Sequence, residues 1–271
     1  MLEECAVDDF PQRGYAGLVA IELEAIPIYE RIGEGYAERR RADPDWLAQI
    51  HSALTTDSFV LNVGAGSGSY EPTDRVVVAL EPSETMIAQR PPGSAPVVRG
   101  RAEQLPFADR CFDVALAVLT VHHWDDAEAG LAEMCRVAAK QVVVTWDPSV
   151  FASEFWLVRD YLPEAAYRDQ GLATISTVQH YLPNAISTPM PVPFGCTDGF
   201  FAAYWRRPSA YLDERVRNSI SGLALLDQGV VQSAMRRLAS DLDGGIWHER
   251  YSALNRLEQL DLGYRMVVAE S

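Results

Sequence analysis

Apolar and polar positions change their spacing along the chain. Between residues 58 and 148, short runs that are apolar at consecutive positions alternate with polar or helical stretches. Runs of this kind fit strands that are buried on both faces of a parallel sheet. The strands we predict are Phe59–Val63, Val76–Leu80, Pro96–Arg99, Asp113–Leu119 and Gln141–Thr145, with helices over 83–90 and 125–138. This alternation predicts an α/β fold: a Rossmann-like, doubly wound, mostly parallel sheet, with seven strands once two from the second half join its edge.

The segments on both sides of this region have the spacing of helices. Residues 16–54 carry a loose apolar face, and helical patterns recur over 152–161, 198–206, 212–241 and 246–259. The apolar run Gly263–Ala269 predicts a strand that closes the sheet. We therefore expect an N-terminal helical lid over 1–55, a cofactor-binding core over 56–148, a helical insertion or cap on the substrate side over 149–262, and a closing strand over 263–271.

The charge balance bears on possible partners. The 271 residues carry a net charge of −15, and the isoelectric point is about 4.7. Phosphate backbones are bound by clustered lysines and arginines, and the one dense basic cluster here is Arg39–Arg41. We therefore expect a small-molecule partner and no nucleic acid, and a monomer or homodimer.

The cysteines and the apolar runs bear on metals and location. Cys5, Cys111, Cys135 and Cys196 lack the close spacing of metal ligands, so we predict no metal site. Reduced cysteines favour a cytoplasmic protein. The acidic start MLEECAVDDF differs from the basic start of a secretory signal, and no apolar run is long enough to cross a bilayer, so we expect no membrane association.

A glycine loop gives the strongest local signal. The segment VLNVGAGSG at 60–68 runs from a predicted strand into a loop with glycine at every second position, which allows a sharp turn and close approach to a ligand. Glu81, at the end of the next strand, can accept hydrogen bonds from both ribose hydroxyls of an adenosine. Only seven residues separate Gly68 from Val76, too few for the helix that seats a pyrophosphate in dinucleotide folds. The loop therefore favours S-adenosylmethionine (SAM), which has no phosphates, over a dinucleotide.

Three segments carry a family resemblance. VLNVGAGSG, VVALEPSETMIAQR and RGRAEQLPFADRCFDVALAVLTVHHW follow one another in the order of the motifs of class I SAM-dependent methyltransferases. Over roughly residues 30–148 the chain resembles this family, in particular its small-molecule type (methyltransferase type 11) related to ubiquinone and menaquinone biosynthesis methyltransferases. The resemblance implies transfer of a methyl group from SAM to a small-molecule acceptor by in-line displacement, with S-adenosylhomocysteine as product. Residues 150–262 carry no motif that we can assign.

The resemblance also implies where the cofactor lies. The glycine loop would pack under the methionine part of SAM, Glu81 would hold the ribose, and Tyr36 and Arg40 would cover the carboxylate end, with Arg39 or Arg41 as alternatives to Arg40. The implied cofactor residues are Tyr36, Arg40, Asn62, Gly64, Ala65, Gly66, Gly68, Glu81, Pro82, Met86, Ala102, Glu103, Val118 and Leu119.

Two positions depart from the family pattern. Asn62 stands where an aspartate is commoner, which removes a charge near the amino group of SAM. Arg101 stands where an aspartate often reads the adenine amine, and an arginine cannot accept that hydrogen bond. We expect either that another group reads the adenine or that binding is weaker than usual in the family.

Candidates for the chemistry follow the fourth and fifth strands, because open α/β sheets bind ligands at the carboxyl ends of their strands. A histidine titrates near neutral pH and can act as a general base, so we place His123 first and His122 second in that role. The alternative is that both histidines only orient their loop. Candidates for a substrate pocket are Trp124, Trp146, Asp147, Trp156, Cys196 and Tyr204, each of which could instead be a core, cap or turn residue.

Two other functions remain open. The chain could be a non-catalytic SAM-binding or interaction protein, because both departures fall in the cofactor site and no general base is unambiguous. A nicotinamide-dependent oxidoreductase is disfavoured by the short segment after Gly68.

Overall fold

A computed structural model describes residues 29–32, 36–56, 58–168, 171–182 and 184–270. Residues 1–28 of the predicted lid, including Cys5, lie outside the described residues.

The described strands are β1 Phe59–Val63, β2 Val76–Glu81, β3 Val97–Arg99, β4 Phe112–Val118, β5 Ala138–Trp146, β6 Ile186–Pro189, β7 Val192–Pro193, β8 Gln259–Leu260 and β9 Tyr264–Glu270. Seven of them form one sheet in the order β3-β2-β1-β4-β5-β9-β6, while β7 and β8 form a separate pair. The strands β1 to β5 are parallel, and β9 runs antiparallel to both β5 and β6. The predicted Rossmann-like, mostly parallel sheet is confirmed.

The strand order reverses between β1 and β4, which places a crevice at their carboxyl ends, the usual ligand site of such sheets. Consecutive apolar positions form these strands because helices cover both faces of the sheet. In β1, Val60 and Leu61 point to opposite faces and both are fully buried. The short link between β1 and β2 contains turns and no helix, as its length predicts.

The helices differ from the sequence pattern mainly in the second half of the chain. Those described are α1 Tyr29–Ile32, α2 Tyr36–Arg39, α3 Pro44–Ser52, α4 Glu84–Ile87, α5 Ala127–Val137, α6 Pro148–Glu154, α7 Glu164–Arg168, α8 Ile175–Tyr181, α9 Glu214–Asn218, α10 Ser221–Ala224, α11 Gln228–Asp243 and α12 Ile246–Arg250, with a π-helical turn over Leu157–Tyr161 and 3₁₀ turns at Val121–His123, Pro208–Leu212 and Ser252–Arg256. The predicted helix over 198–206 is wrong, because this segment is a series of turns. The pattern over 212–241 is divided among α9, α10 and α11, and that over 246–259 ends in a 3₁₀ turn and β8.

The second half leaves the sheet and returns to it at neighbouring points. It departs after β5 and comes back into β9, and these two strands pair along their length. The Asp147 N–H donates to the Gly263 carbonyl at 2.7 Å, so the two ends of the segment 148–262 are hydrogen-bonded to each other. Between these ends, Trp156, Trp205 and Trp247 are buried in a core that is continuous with one face of the sheet.

No helix in the described part of the chain combines the length and the apolar composition needed to cross a membrane. Over the same residues, no three histidine, cysteine or acidic side chains cluster in a way that could hold a metal ion.

Candidate active site

The loop after β1 brings bare backbone to the crevice. Gly64, Gly66 and Gly68 have φ values of +68°, +54° and +86°, in the left-handed region that glycine adopts without a steric penalty. A Cβ at Gly64 would also lie 2.1 Å from Oγ1 of Thr120. The Gly64 N–H donates to the Leu80 carbonyl at 2.9 Å, which fixes the loop against β2.

Glu81 ends β2 beside this loop and is 5% exposed. Its Oε2 accepts the Gly66 N–H at 2.8 Å and its Oε1 accepts the Ser83 N–H at 2.9 Å. Burial raises the pKa of Glu81 above its ordinary value of 4.5, although these two backbone donors oppose the rise. Each carboxylate oxygen has a further lone pair, so Glu81 can also accept hydrogen bonds from two neighbouring hydroxyls of a ligand.

A cavity of about 500 Å³ runs past the loop across the carboxyl ends of β1, β2 and β4. This volume lies in the usual range for small-molecule and cofactor sites. The predicted cofactor residues that line it are Tyr36, Arg40, Asn62, Gly64, Ala65, Gly66, Glu81, Pro82, Met86, Ala102, Glu103, Val118 and Leu119. The motifs of the first half therefore converge on one space.

Gly68 is the predicted cofactor residue that does not line this cavity. A Cβ there would approach Glu71 and Arg90 instead, which form an ion pair at 2.7 Å with side chains 7% and 5% exposed. The Asn62 Nδ2 donates to Glu71 Oε1 at 3.2 Å. The amide that replaces the commoner aspartate thus contacts a carboxylate that Arg90 already neutralises.

One end of the cavity is closed by a buried ion pair and tyrosines. Arg40 donates through Nε to Asp198 Oδ1 at 2.5 Å and through Nη1 to the Tyr36 hydroxyl at 2.6 Å. The Tyr70 hydroxyl donates to Asp198 Oδ2 at 2.9 Å. Burial works against the charge on Arg40, but the adjacent Asp198 carboxylate raises the pKa of Arg40 well above its usual value. Arg40 therefore remains a fixed cation at the cavity wall, in a position to pair with a ligand carboxylate.

The sequence left three arginines open for that role. Arg40 lines the cavity, whereas neither Arg39 nor Arg41 is among the lining residues. The backbone carbonyl of Arg39 instead accepts the Gly199 N–H at 3.0 Å. The structure favours Arg40.

The opposite end of the cavity is polar. It is bordered by Arg101, Ala102, Glu103, Trp124 and Asp125. Arg101 Nη1 forms an ion pair with Asp125 Oδ2, and Glu103 Oε1 accepts the Asp125 N–H at 2.9 Å. Trp124 was predicted for a substrate pocket, but it borders this end because its ring packs on Gly130, where a Cβ would lie 2.5 Å from the ring.

The two histidines line the cavity from the 3₁₀ turn after β4. The Tyr29 hydroxyl and His123 Nε2 are 3.0 Å apart, at hydrogen-bonding distance. Burial raises the pKa of Tyr29, which keeps the phenol protonated. The His122 ring meets the Trp146 ring edge-to-face at 4.7 Å between centroids. Both histidines border a second, smaller chamber as well as the first.

This second chamber, which we call the aromatic chamber, adjoins the first and measures about 80 Å³. Its walls are mainly apolar, and Trp146, which the sequence placed among the candidate substrate-pocket residues, is one of them. The lining residues are Tyr29, Arg40, Leu119, His122, His123, Trp146, Phe151, Leu172, Phe200, Phe201, Ile220, Ser221, Gly222 and Tyr264. The two cavities share Tyr29, Arg40, Leu119, Leu172 and both histidines.

Leu119 marks the junction of the cavities. Its φ is +51°, a conformation that costs a non-glycine residue about 1–2 kcal/mol. Its N–H donates to the Val144 carbonyl of β5 at 2.9 Å, which holds the strained residue in place. Strained backbone of this kind clusters at functional sites.

Four residues predicted for the substrate pocket lie elsewhere. Asp147 caps α6, accepting the N–H groups of Ser149 and Val150. Trp156 is 1% exposed and donates through Nε1 to the Trp205 carbonyl at 2.7 Å, in the core.

The other two, Cys196 and Tyr204, support the same end of the fold without lining either cavity. The Cys196 thiol is buried against the Asp198 carbonyl at 3.5 Å, and burial raises its pKa, so it is a poor nucleophile. The Tyr204 ring packs against Arg207 and Tyr211.

Sequence reasoning missed several lining residues. Phe200 and Phe201 line the aromatic chamber and follow the turn that contains Cys196, and Tyr29 lies in the helical pattern before the core. Asp198, within that turn, lines neither cavity but pairs with Arg40. An acid in a glycine-flanked turn, followed directly by two aromatics, was a usable signal for Asp198. Nothing in the sequence paired it with Arg40, which is distant along the chain.

Comparisons with known proteins agree with this geometry. Residues 61–144 match the protein-family model Methyltransf_11, described as a methyltransferase domain. The protein YafE of Escherichia coli K12, which is uncharacterized, is 29% identical over 125 residues, which cover 42% of this chain and 58% of YafE. The aligned part thus spans little more than half of YafE.

A solved structure extends the similarity beyond the core. It is that of a protein from Anabaena variabilis described as a methyltransferase from an antibiotic biosynthesis pathway. This chain is 29% identical to it, with a TM-score of 0.78, over 86% of this chain and 99% of the Anabaena protein. The similarity therefore includes the cap as well as the sheet.

Proposed function

We propose that this chain is a class I SAM-dependent methyltransferase, which transfers the methyl group of SAM to a small-molecule acceptor bound in the aromatic chamber. The observation that carries the proposal is that the cofactor cavity and the aromatic chamber meet at Leu119, His122 and His123. A methyl group that leaves a cofactor in the larger cavity at this junction would therefore enter the aromatic chamber. The relation to ubiquinone and menaquinone enzymes stays a prediction.

The residues of the cavity fit SAM group by group. The bare backbone of the glycine loop leaves room for the methionine part, Glu81 offers acceptors to the ribose hydroxyls, and Arg40 offers a cation to the carboxylate. When bound, SAM supplies an electrophilic methyl group on a sulfonium. What the chain must supply is alignment of the acceptor with that methyl, exclusion of water, and a place for any proton that is lost.

The histidine pair suits the proton step. A hydroxyl or amine acceptor in the aromatic chamber would lie beside the imidazole rings of His122 and His123. The Tyr29 hydroxyl, at 3.0 Å, orients the His123 ring through Nε2. We assign His123 as the general base, with His122 as the alternative, and Tyr29 as the residue that positions His123.

The side chains that line the aromatic chamber indicate the shape and charge of the acceptor it would bind. Trp146, Phe151, Phe201 and Tyr264 favour a flat, apolar group. The charged side chain among the described lining residues is Arg40, which is paired with Asp198 and which we assign to the carboxylate of SAM. An acidic acceptor would therefore gain little there, and we propose a neutral acceptor of about one ring in size that carries a hydroxyl or amine.

The test is transfer of isotope-labelled methyl from SAM to a panel of neutral phenols and arylamines, with matched carboxylated compounds as the comparison. We expect label in the neutral compounds, inhibition by S-adenosylhomocysteine and no binding of NADH. If the purified protein binds S-adenosylhomocysteine but labels no acceptor in the panel, the aromatic-acceptor proposal is wrong. If it binds neither SAM nor S-adenosylhomocysteine, the methyltransferase proposal is wrong as well.

The proton step is tested with His123→Asn and Tyr29→Phe. The matched control is His180→Asn, because His180 is exposed on α8 and lines neither cavity. Loss of a general base reduces turnover by about 10²- to 10⁴-fold, so we expect His123→Asn to lower kcat in that range and to flatten the pH–rate profile. Equal kcat values for His123→Asn and the control would remove His123 from the mechanism.

Location and other partners follow from bulk properties. The net charge of −15 argues against a nucleic-acid partner. The thiols of Cys111, Cys135 and Cys196 are free of disulfides, which supports a reducing, cytoplasmic setting.

A further inference from the structure

The exocyclic amine of adenine carries two N–H donors, and a site that selects adenine offers them an acceptor. In this chain, the position expected to supply that acceptor is Arg101, whose guanidinium only donates. Arg101 nevertheless lines the cavity, at the end away from Arg40. The acceptor must therefore come from another residue at this end.

Two carboxylates border this end of the cavity. Glu103 Oε1 accepts the backbone N–H groups of Asp125 and Asp126 at 2.9 and 3.3 Å, which directs it to the loop before α5. Asp125 pairs through Oδ2 with Arg101 Nη1. Asp125 lines the cavity, and among the described residues its Oδ1 accepts no hydrogen bond, so this oxygen keeps its capacity to accept one from a ligand.

We infer that Asp125 recognises the adenine amine of the cofactor and that Arg101 acts as its positioning residue. Asp125 would thus take the role that the family resemblance assigns to a carboxylate at position 101, and Arg101 holds the Asp125 carboxylate at the cavity. This inference rests on the proposed function, because it requires that the cavity hold the adenosine of SAM.

The test compares two ligands that differ at the amine. S-adenosylhomocysteine carries the amine, whereas S-inosylhomocysteine carries a carbonyl oxygen there and a proton on the adjacent ring nitrogen. A carboxylate accepts from the amine and repels the carbonyl, whereas a carboxamide can donate to the carbonyl and accept from the ring N–H. Titration calorimetry gives both Kd values, and their ratio measures recognition of the amine.

We expect the wild-type protein to prefer S-adenosylhomocysteine by about tenfold, the lower end for one hydrogen bond to a charged acceptor because Asp125 is partly exposed. Asp125→Asn should abolish or reverse this preference. Arg101→Gln should reduce it without reversing it, because Asp125 keeps its carboxylate but loses its partner.

The matched control is Asp109→Asn. Asp109 pairs with Arg136 and is 76% exposed, as Asp125 pairs with Arg101 and is 66% exposed, but Asp109 does not line the cavity. The control should keep the wild-type ratio. A wild-type protein that binds both ligands equally, or an Asp125→Asn variant that keeps the wild-type ratio, would overturn the inference and leave the proposed function intact. Failure of the wild-type protein to bind S-adenosylhomocysteine would overturn both.

Discussion

The contact between Gly64 and Thr120 gives the sharpest test of the cofactor loop. In Gly64→Ala, the new Cβ would lie 2.1 Å from Thr120 Oγ1 and 2.9 Å from its Cβ. The positive φ alone costs alanine about 1–2 kcal/mol. Displacing backbone and side chains in a packed site adds about 1–3 kcal/mol. We expect the unfolding free energy to fall by about 2–5 kcal/mol in total, and SAM affinity to fall because the loop must move.

A matched glycine separates the two contributions. Gly93 has a φ of +85°, but a Cβ there would meet nothing within 4 Å. Gly93→Ala should therefore lose only the backbone part, about 1–2 kcal/mol, and should bind S-adenosylhomocysteine normally. The assay is urea denaturation with equal m-values, together with calorimetric titration of each variant.

Shortening the Thr120 side chain should also relieve the clash with an alanine at position 64. Thr120→Ala removes Oγ1 but keeps Cβ, so it should recover part of the loss when combined with Gly64→Ala. A double-mutant cycle then gives a favourable coupling energy between the two positions. If Gly64→Ala costs no more than Gly93→Ala, or if the two positions show no coupling, our account of the loop is refuted.

Three further predictions concern buried charges. Glu81→Gln replaces an acceptor-only group, and should weaken binding of S-adenosylhomocysteine by about 2 kcal/mol, roughly thirtyfold in Kd by calorimetry; an unchanged Kd would remove Glu81 from the ribose site. Because the pKa of Glu81 is raised above 4.5 in the folded protein, its ionisation should weaken the ligand-free fold as pH rises from the unfolded pKa through the folded one, while affinity for S-adenosylhomocysteine should increase over the same window. Urea denaturation and titration across that window check both trends, and the Gln variant should show neither. Asp198→Asn leaves the Arg40 charge without its counter-ion and should cost about 3–5 kcal/mol of unfolding free energy. The control Asp74→Asn changes a carboxylate that pairs with Arg75 but is itself 66% exposed, so it should cost much less; equal losses would contradict a special role for the buried Asp198.

The sheet could be predicted from sequence because its signal is local. Each parallel strand is a short, continuously apolar run, and β1 was predicted with its observed bounds. Across β2 to β5 every predicted end lies within three residues of the observed one. The strand β9 was also predicted from its apolar run. Its antiparallel pairing with β5 could not be predicted, because it depends on contacts between segments that are distant along the chain.

The helix predicted over 198–206 is wrong because tertiary contacts override the local pattern. The segment 198–206 is rich in alanine and aromatic residues, yet its backbone carbonyls bond to distant side chains. The Phe201 carbonyl accepts the Tyr211 hydroxyl at 2.8 Å, and the Trp205 carbonyl accepts Trp156 Nε1 at 2.7 Å. These tertiary hydrogen bonds replace those of a helix, and local propensity cannot reveal them.

The site residues also divide into a group that the sequence predicted well and a group that it predicted poorly. Thirteen of the fourteen predicted cofactor residues line the larger cavity, and those from the motifs after β1, β2, β3 and β4 do so because each motif lies at the end of a strand. The acceptor side was predicted poorly: Trp146 lines the aromatic chamber, but Trp156 and Cys196 do not. Aromatic residues in a core and aromatic residues around a ligand look the same in sequence, since both bury apolar area.

The hydrogen bond between Asp147 and Gly263 joins the two ends of the segment that carries much of the proposed acceptor site. The segment 148–262 connects β5 to β9, whose facing ends are already adjacent, and within it β6 and α8 also pack against the sheet. Lengthening such a connection costs little, since closure entropy grows only with the logarithm of loop length. The parts of this segment outside β6 and α8 can therefore change without moving the strands that hold the cofactor, provided that they return a carboxylate to Arg40 as Asp198 does. Acceptor preference and cofactor chemistry can then diverge independently in chains built on this plan.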